Sequence, residues 1–239
     1  MNIIIRHKKA LLLLIIISSV FTIYKTNNKN NISYISIGDG YSKGIDSYYQ
    51  VNYGYSDYLR DYLNENNILN KYNKSFTDKN ASIDSLYKDI VINRKVKDNN
   101  FKQTLRESEI LTMSIGINDL IYRLALTEDM DEYKLNRIII DIDKSLSILI
   151  KEIRKYYQKD IYIIGYYKPN TSNYYLLKGI DKLNELYKNN KDVIYIYSEN
   201  INNNPSKYLS NPANNYPNSI GYKEISTEIV EKITKKLAK

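Results

Sequence analysis

The chain has 239 residues, 43% of them hydrophobic, a length that suits one ordinary globular domain around a single core. It contains no cysteine and one histidine, which excludes disulfides, thiolate nucleophiles and zinc held by Cys or His clusters; no metal and no cofactor are expected. The formal charge of +8 includes Arg6, Lys8 and Lys9 near the start, and the rest is scattered among acids with no Arg-rich run or nucleic-acid reader motif, so it reads as a solvated basic surface and no nucleic-acid partner is expected.

Residues 1–9 form a basic n-region, and Ala10 to Tyr24 form an uncharged apolar run, the layout of a signal anchor or signal peptide. Fifteen residues rise about 22 Å as a helix, short of the roughly 30 Å hydrocarbon core unless Ile3 to Ile5 and snorkelling basic residues contribute. The stretch Ser18-Ser19-Val20-Phe21-Thr22 places bulky residues where a signal peptidase needs small ones. An uncleaved membrane anchor is therefore the favoured reading, with cleaved secretion as its alternative. The basic flank predicts that the domain lies outside the cytoplasm. Residues 25–31, KTNNKNN, read as a linker, and the domain occupies 32–239.

Within the domain, short β-branched or aromatic runs alternate with longer amphipathic ones. Strands are predicted at Ile32 to Ile37, Leu69 to Phe76, Ile110 to Ile115, Ile161 to Tyr166 and Val193 to Tyr197. Helices are predicted at Tyr55 to Asn64, Ser82 to Ile92, Asp131 to Tyr157, Asn173 to Lys188 and Ser219 to Leu237. Tyrosine is so common, at 26 residues, that a tyrosine cluster says little by itself; Tyr53, Tyr55 and Tyr58 are read first as packing residues. The alternation predicts a three-layer α/β domain, with about five parallel strands and helices on both faces. In such a sheet the ligand site lies outside the carboxyl ends of the strands.

The residues after those strand ends form three blocks. Gly38-Asp39-Gly40 follows the first strand, Gly116-Ile117-Asn118-Asp119 follows the third, and Tyr216-Pro217 with Gly221-Tyr222 precedes the last helix. Together they resemble the SGNH/GDSL hydrolases, esterases and lipases whose flavodoxin-like sandwich carries Gly-Asp-Ser, Gly-x-Asn-Asp and Asp-x-x-His-Pro at these places. The resemblance spans Ile32 to about Lys235 and implies a Ser-His-Asp esterase scaffold.

The chain departs from that pattern where the chemistry lies. Gly40 stands at the nucleophile position, Tyr216 at the His, and Ala213, or Asn214 on a shift of one, at the Asp. The backbone donor of the family's second block corresponds to Asn80. A Ser-His-Asp site needs an imidazole base, and the only histidine is His7 in the n-region. Ser42, with Lys43 as base, is the weak substitute nucleophile, but adjacent side chains diverge and an exposed lysine has a pKa near 10.4, so both are expected to be loop residues. Asp39, Asp46, Asp57 and Asp119 lack the spacing of a catalytic carboxylate pair; Asp39 and Asp119 are expected to accept backbone N–H bonds in turns.

By the resemblance, the Gly40 N–H and the Asn118 amide correspond to two oxyanion donors. With Asp39, Asn80, Gly116 and Tyr216 they make up the candidate ligand site. Asn118 either donates to a ligand or caps the helix beginning at Asp119, and the two roles are compatible. The expectation is a pocket for an acyl, carboxylate or glycan group in a non-catalytic binding or interaction module at the cell surface. The alternative is an active esterase on envelope glycans or lipids with a non-standard nucleophile and base.

Overall fold

The structure is a computed structural model and describes residues 32–211 and 213–237. The n-region, the anchor at 10–24, the linker and His7 lie outside the described residues. Among the described residues no helix is long and apolar enough to cross a membrane.

Five parallel strands form the sheet: β1 (Ile32–Gly38), β2 (Leu69–Thr77), β5 (Ile110–Ser114), β6 (Ile161–Ile164) and β7 (Ile194–Ile196), in the order β2-β1-β5-β6-β7. This is the flavodoxin-like arrangement, with the direction of winding reversing beside β1. The central strand β1 is buried along its whole length, as its near-continuous Ile and Tyr content requires of a strand covered on both faces. Its polar members are satisfied internally: Tyr34 Oη pairs with Thr112 Oγ1 at 2.8 Å.

Helices α2 (Tyr55–Glu65) and α10 (Ser219–Leu237) pack together on one face. The other face carries α3 (Ile83–Val91), α5 (Ile117–Ala125), α6 (Glu132–Arg154) and α7 (Tyr174–Asn189). In α6, Leu135, Ile138, Ile142, Leu146, Leu149 and Ile153 bury one stripe, following the i, i+3, i+4, i+7 spacing of the sequence. Each predicted strand and long helix is present with ends shifted by a few residues, the scatter expected of boundaries.

Short elements were not legible. A two-residue hairpin, β3 (Lys95–Val96) with β4 (Asn99–Asn100), turns through Lys97 at φ 52° and leads into α4 (Phe101–Glu107). The one-turn helix α1 (Gly40–Lys43) follows β1, and α8 (Glu199–Asn203) and α9 (Pro205–Tyr208) break up the Asn-rich stretch before α10. None is long enough to show a period.

The exit from β1 is set by Gly38. It adopts φ 113°, a region L side chains rarely occupy, and a Cβ there would collide with the Ser114 carbonyl oxygen of the neighbouring strand. That oxygen accepts the Asp39 N–H at 2.8 Å, so it cannot retreat without breaking the strand-end bond. Gly38→Ala is therefore expected to cost about 3 kcal/mol or more, as a strained backbone with a backbone clash. Urea unfolding measures it; a loss below about 1 kcal/mol would contradict the account.

Candidate functional site

The strand exit directs Asp39 inward. Its carboxylate caps α1 by accepting the Tyr41 N–H at 3.1 Å, and it accepts the Ser114 hydroxyl at 2.6 Å and the Tyr166 hydroxyl. One buried side chain thus joins the ends of β1, β5 and β6. Burial raises its pKa to about 6, against the opposing effect of the Ser114, Tyr166 and Tyr41 hydrogen bonds. Asp39 is a structural hub rather than a group open to a ligand.

Ser42 lies in the same network, which corrects its candidacy as a substitute nucleophile. It is fully buried; its Oγ donates to the Ile37 carbonyl at 2.6 Å, pairs with Tyr55 Oη at 2.7 Å and Ser114 Oγ at 2.8 Å, and accepts the Ser114 N–H at 3.1 Å. A hydroxyl so held has no path to a substrate carbonyl. Lys43 donates its ammonium to the Thr77 carbonyl at 3.3 Å. The other carboxylates are also structural: Asp46 accepts Tyr48 and Gln50 N–H groups, Asp57 takes the Gly54 N–H and pairs with Lys74 at 2.6 Å, and Asp119 accepts the Ile83 N–H at the start of α3.

Above Asp39, Gly40 and Tyr216 fit each other. A Cβ on Gly40 would lie 2.6 Å from Tyr216 Oη and 2.7 Å from its Cε1. The space a nucleophile side chain would occupy is filled by the far end of the tyrosine ring. That ring sits between Tyr41 and Tyr49, with centroids 5.8 and 5.7 Å away. Its backbone is fixed as well: Tyr216 N–H donates to Asn214 Oδ1 at 3.0 Å, and its carbonyl accepts Ser47 Oγ at 2.9 Å. Burial pushes the Tyr216 phenol above its ordinary pKa, so it stays neutral near pH 7.

Two of the three expected oxyanion donors are already engaged. Asn118 Nδ2 donates to the carbonyls of Lys79 at 3.0 Å and Ala81 at 2.9 Å, which uses both of its amide hydrogens to hold the loop before α3. Nor does Asn118 cap α5, which begins one residue earlier behind Gly116. The Asn80 N–H donates to Asp78 Oδ1 at 2.9 Å in a local turn. Gly40, first in α1, retains an N–H without an intrahelical acceptor, but the Tyr216 ring lies over it.

Asn80, Asn118, Ala213, Asn214 and Tyr216 nevertheless converge on one cavity of about 310 Å³, as their motif positions imply. Asp39, Gly40 and Gly116 are not among its lining residues; Gly116 adopts φ 117°, with the Tyr187 hydroxyl where a Cβ would lie. The sequence reading missed most of the wall: Tyr49, Lys79, Asn215 and the apolar residues Ile121, Leu176 and Ile180. The amphipathic period of α7 marks Ile180 as buried, but nothing in the period says which buried residue meets a cavity. Of the three tyrosines read as packing, Tyr55 is core, while Tyr53 and Tyr58 pack ring to ring at 5.1 Å away from this cavity.

No family model matches the sequence, and no curated protein matches it. Solved structures do. A lipase from a goat rumen metagenome has a TM-score of 0.67 at 16% identity, over 85% of this chain and 97% of its own. A lipolytic G-D-S-L family protein from Veillonella parvula gives 0.56 at 15% over 85% and 98%, and an acetyl xylan esterase from Geobacillus stearothermophilus 0.54 at 15% over 86% and 96%. The domain has the SGNH hydrolase fold.

If Gly40 is required because Tyr216 occupies its side, Gly40→Ala costs about 1–2 kcal/mol in the natural chain, since the ring yields only by leaving Tyr41 and Tyr49. In a Tyr216→Ala background the same change is near neutral; urea unfolding of the four proteins gives the coupling, and additivity would refute the fit.

Asp39 generates a pH signature. Its folded pKa is raised, so between about 4 and 6 the folded state holds a proton that the unfolded state has released, and stability falls as pH rises through this window. Relative to Asp39→Asn, the natural chain is expected to be more stable at pH 4 than at pH 7 by roughly 2 kcal/mol. Unfolding at both pH values checks this; a constant difference would contradict it.

Proposed function

We propose that this chain is an exported, membrane-anchored protein of esterase fold that holds an acyl, carboxylate or glycan ligand without hydrolysing it. The observation that carries the reading is the Tyr216 ring packed over Gly40, which removes both the attacking oxygen and the space for one. The lack of a histidine after His7 removes the usual base, and Ala213 supplies no carboxylate to orient one. The engaged Asn118 amide further weakens any stabilisation of a tetrahedral oxyanion, for which each donor contributes about 10²–10³ in rate.

The anchor reading rests on the sequence of residues 1–24 and gives the domain an orientation. The linker 25–31 enters at Ile32, the amino end of β1, whereas the cavity lies past the carboxyl ends of the parallel strands. Seven strand residues separate the two levels by about 23 Å. The tether therefore joins the domain at the end opposite its pocket.

The alternative, hydrolysis through a substitute nucleophile, would need Ser42, and the burial of its hydroxyl disfavours it. Assays with p-nitrophenyl acetate should find the natural chain and Gly40→Ser both at the uncatalysed rate, because the base is absent in each. The triple variant Gly40→Ser, Ala213→Asp, Tyr216→His is expected to gain turnover at least tenfold over that background. Turnover by the natural chain that disappears in Ser42→Ala would overturn the proposal.

A further inference from the structure

The cavity lined by Tyr216 combines an apolar and a polar lining. Ile117 and Ile180 form a buried floor, Pro169 and Leu176 continue it, and Ile121 stands at an exposed lip. Lys79, Asn80, Asn118, Asn214, Asn215 and Tyr216 supply its polar lining. No carboxylate lines this cavity, whereas the adjoining groove of about 950 Å³ carries Asp84, Asp119 and Asp141.

Among the described residues, the only buried side-chain nitrogen or oxygen without a hydrogen-bond partner is Asn215 Nδ2. Leaving such a donor unpaired is unfavourable, and native structures rarely do so without a reason. Asn214 Oδ1, by contrast, already accepts the Tyr216 N–H, and Asn214 Nδ2 donates to the Ser47 carbonyl. Among the described residues the Lys79 ammonium forms no ion pair and the Tyr216 hydroxyl makes no hydrogen bond, and both residues line the cavity together with Asn215.

We infer that this cavity binds an aliphatic monocarboxylate, its chain on Ile117, Ile121, Leu176 and Ile180 and its carboxylate toward Asn215, Tyr216 and Lys79. A sugar would leave the Ile117, Leu176 and Ile180 surface without an apolar partner. A neutral ester gains nothing from Lys79 and would have to displace Tyr216 to reach Gly40. The volume, about 310 Å³ and at the small end of ligand sites, suits a chain of short to medium length. The inference rests on the non-hydrolysing reading above and names its ligand.

The test is calorimetric titration of the full chain in phosphatidylcholine nanodiscs at pH 7, against empty discs, with hexanoate, octanoate and methyl octanoate. Octanoate should bind at least tenfold tighter than its methyl ester, and each methylene from hexanoate should tighten binding about fourfold. Lys79→Met, at an exposed position that leaves the core untouched, should lower octanoate affinity about tenfold and leave the ester unchanged; Asn215→Leu should also weaken octanoate. Equal affinities for acid and ester, no binding of either, or no loss in Lys79→Met would each overturn the inference. Release of methanol from the ester would instead overturn the non-hydrolysing reading, so the two failures are distinct.

Discussion

The upper end of this fold depends on a single buried carboxylate. Asp39 receives hydrogen bonds from α1, β5 and the segment after β6, and without such donors an ionised group at that depth would be strongly unfavourable. The hub fixes where β1 ends and where α1 begins, and hence where Gly40 lies. It makes no use of a side chain at residue 40. The geometry of the strand exit can therefore persist whether or not that residue carries a nucleophile.

Tyrosine hydroxyls carry the same constraint outward. Tyr41 donates to the Asn215 carbonyl and Tyr222 to the Ile45 carbonyl, which ties the segment before α10 to the first loop. Tyr216 is delivered by that segment onto Gly40. The two positions are thus coupled: the absence of a side chain at Gly40 admits the Tyr216 ring, and the result is a closed contact. Asn118 follows a similar logic, because its amide hydrogens hold the loop before α3 together and so shape one wall of the cavity.

Much of the fold was legible because each long element buries a face and so writes a period into the sequence: β1 as a continuous apolar run, α6 as a helical stripe. The site was legible in position but not in connection. Gly40, Asn118 and Tyr216 could be placed by their motifs, yet Asn118 turning back to Lys79 and Ala81, or Ser42 sinking beneath Tyr55, depends on contacts between residues 13 to 39 apart in the chain. Asn215 carries no pattern at all; its interest comes only from a hydrogen bond that it does not make.

The central proposal is that Gly40 and Tyr216 close the position where the family resemblance expects a nucleophile, and intact-mass spectrometry after exposure to a fluorophosphonate tests it most directly. The account predicts no mass increase on the natural chain under conditions that fully label an active serine esterase. A stoichiometric adduct mapping to the segment from Gly38 to Gly44 would contradict it.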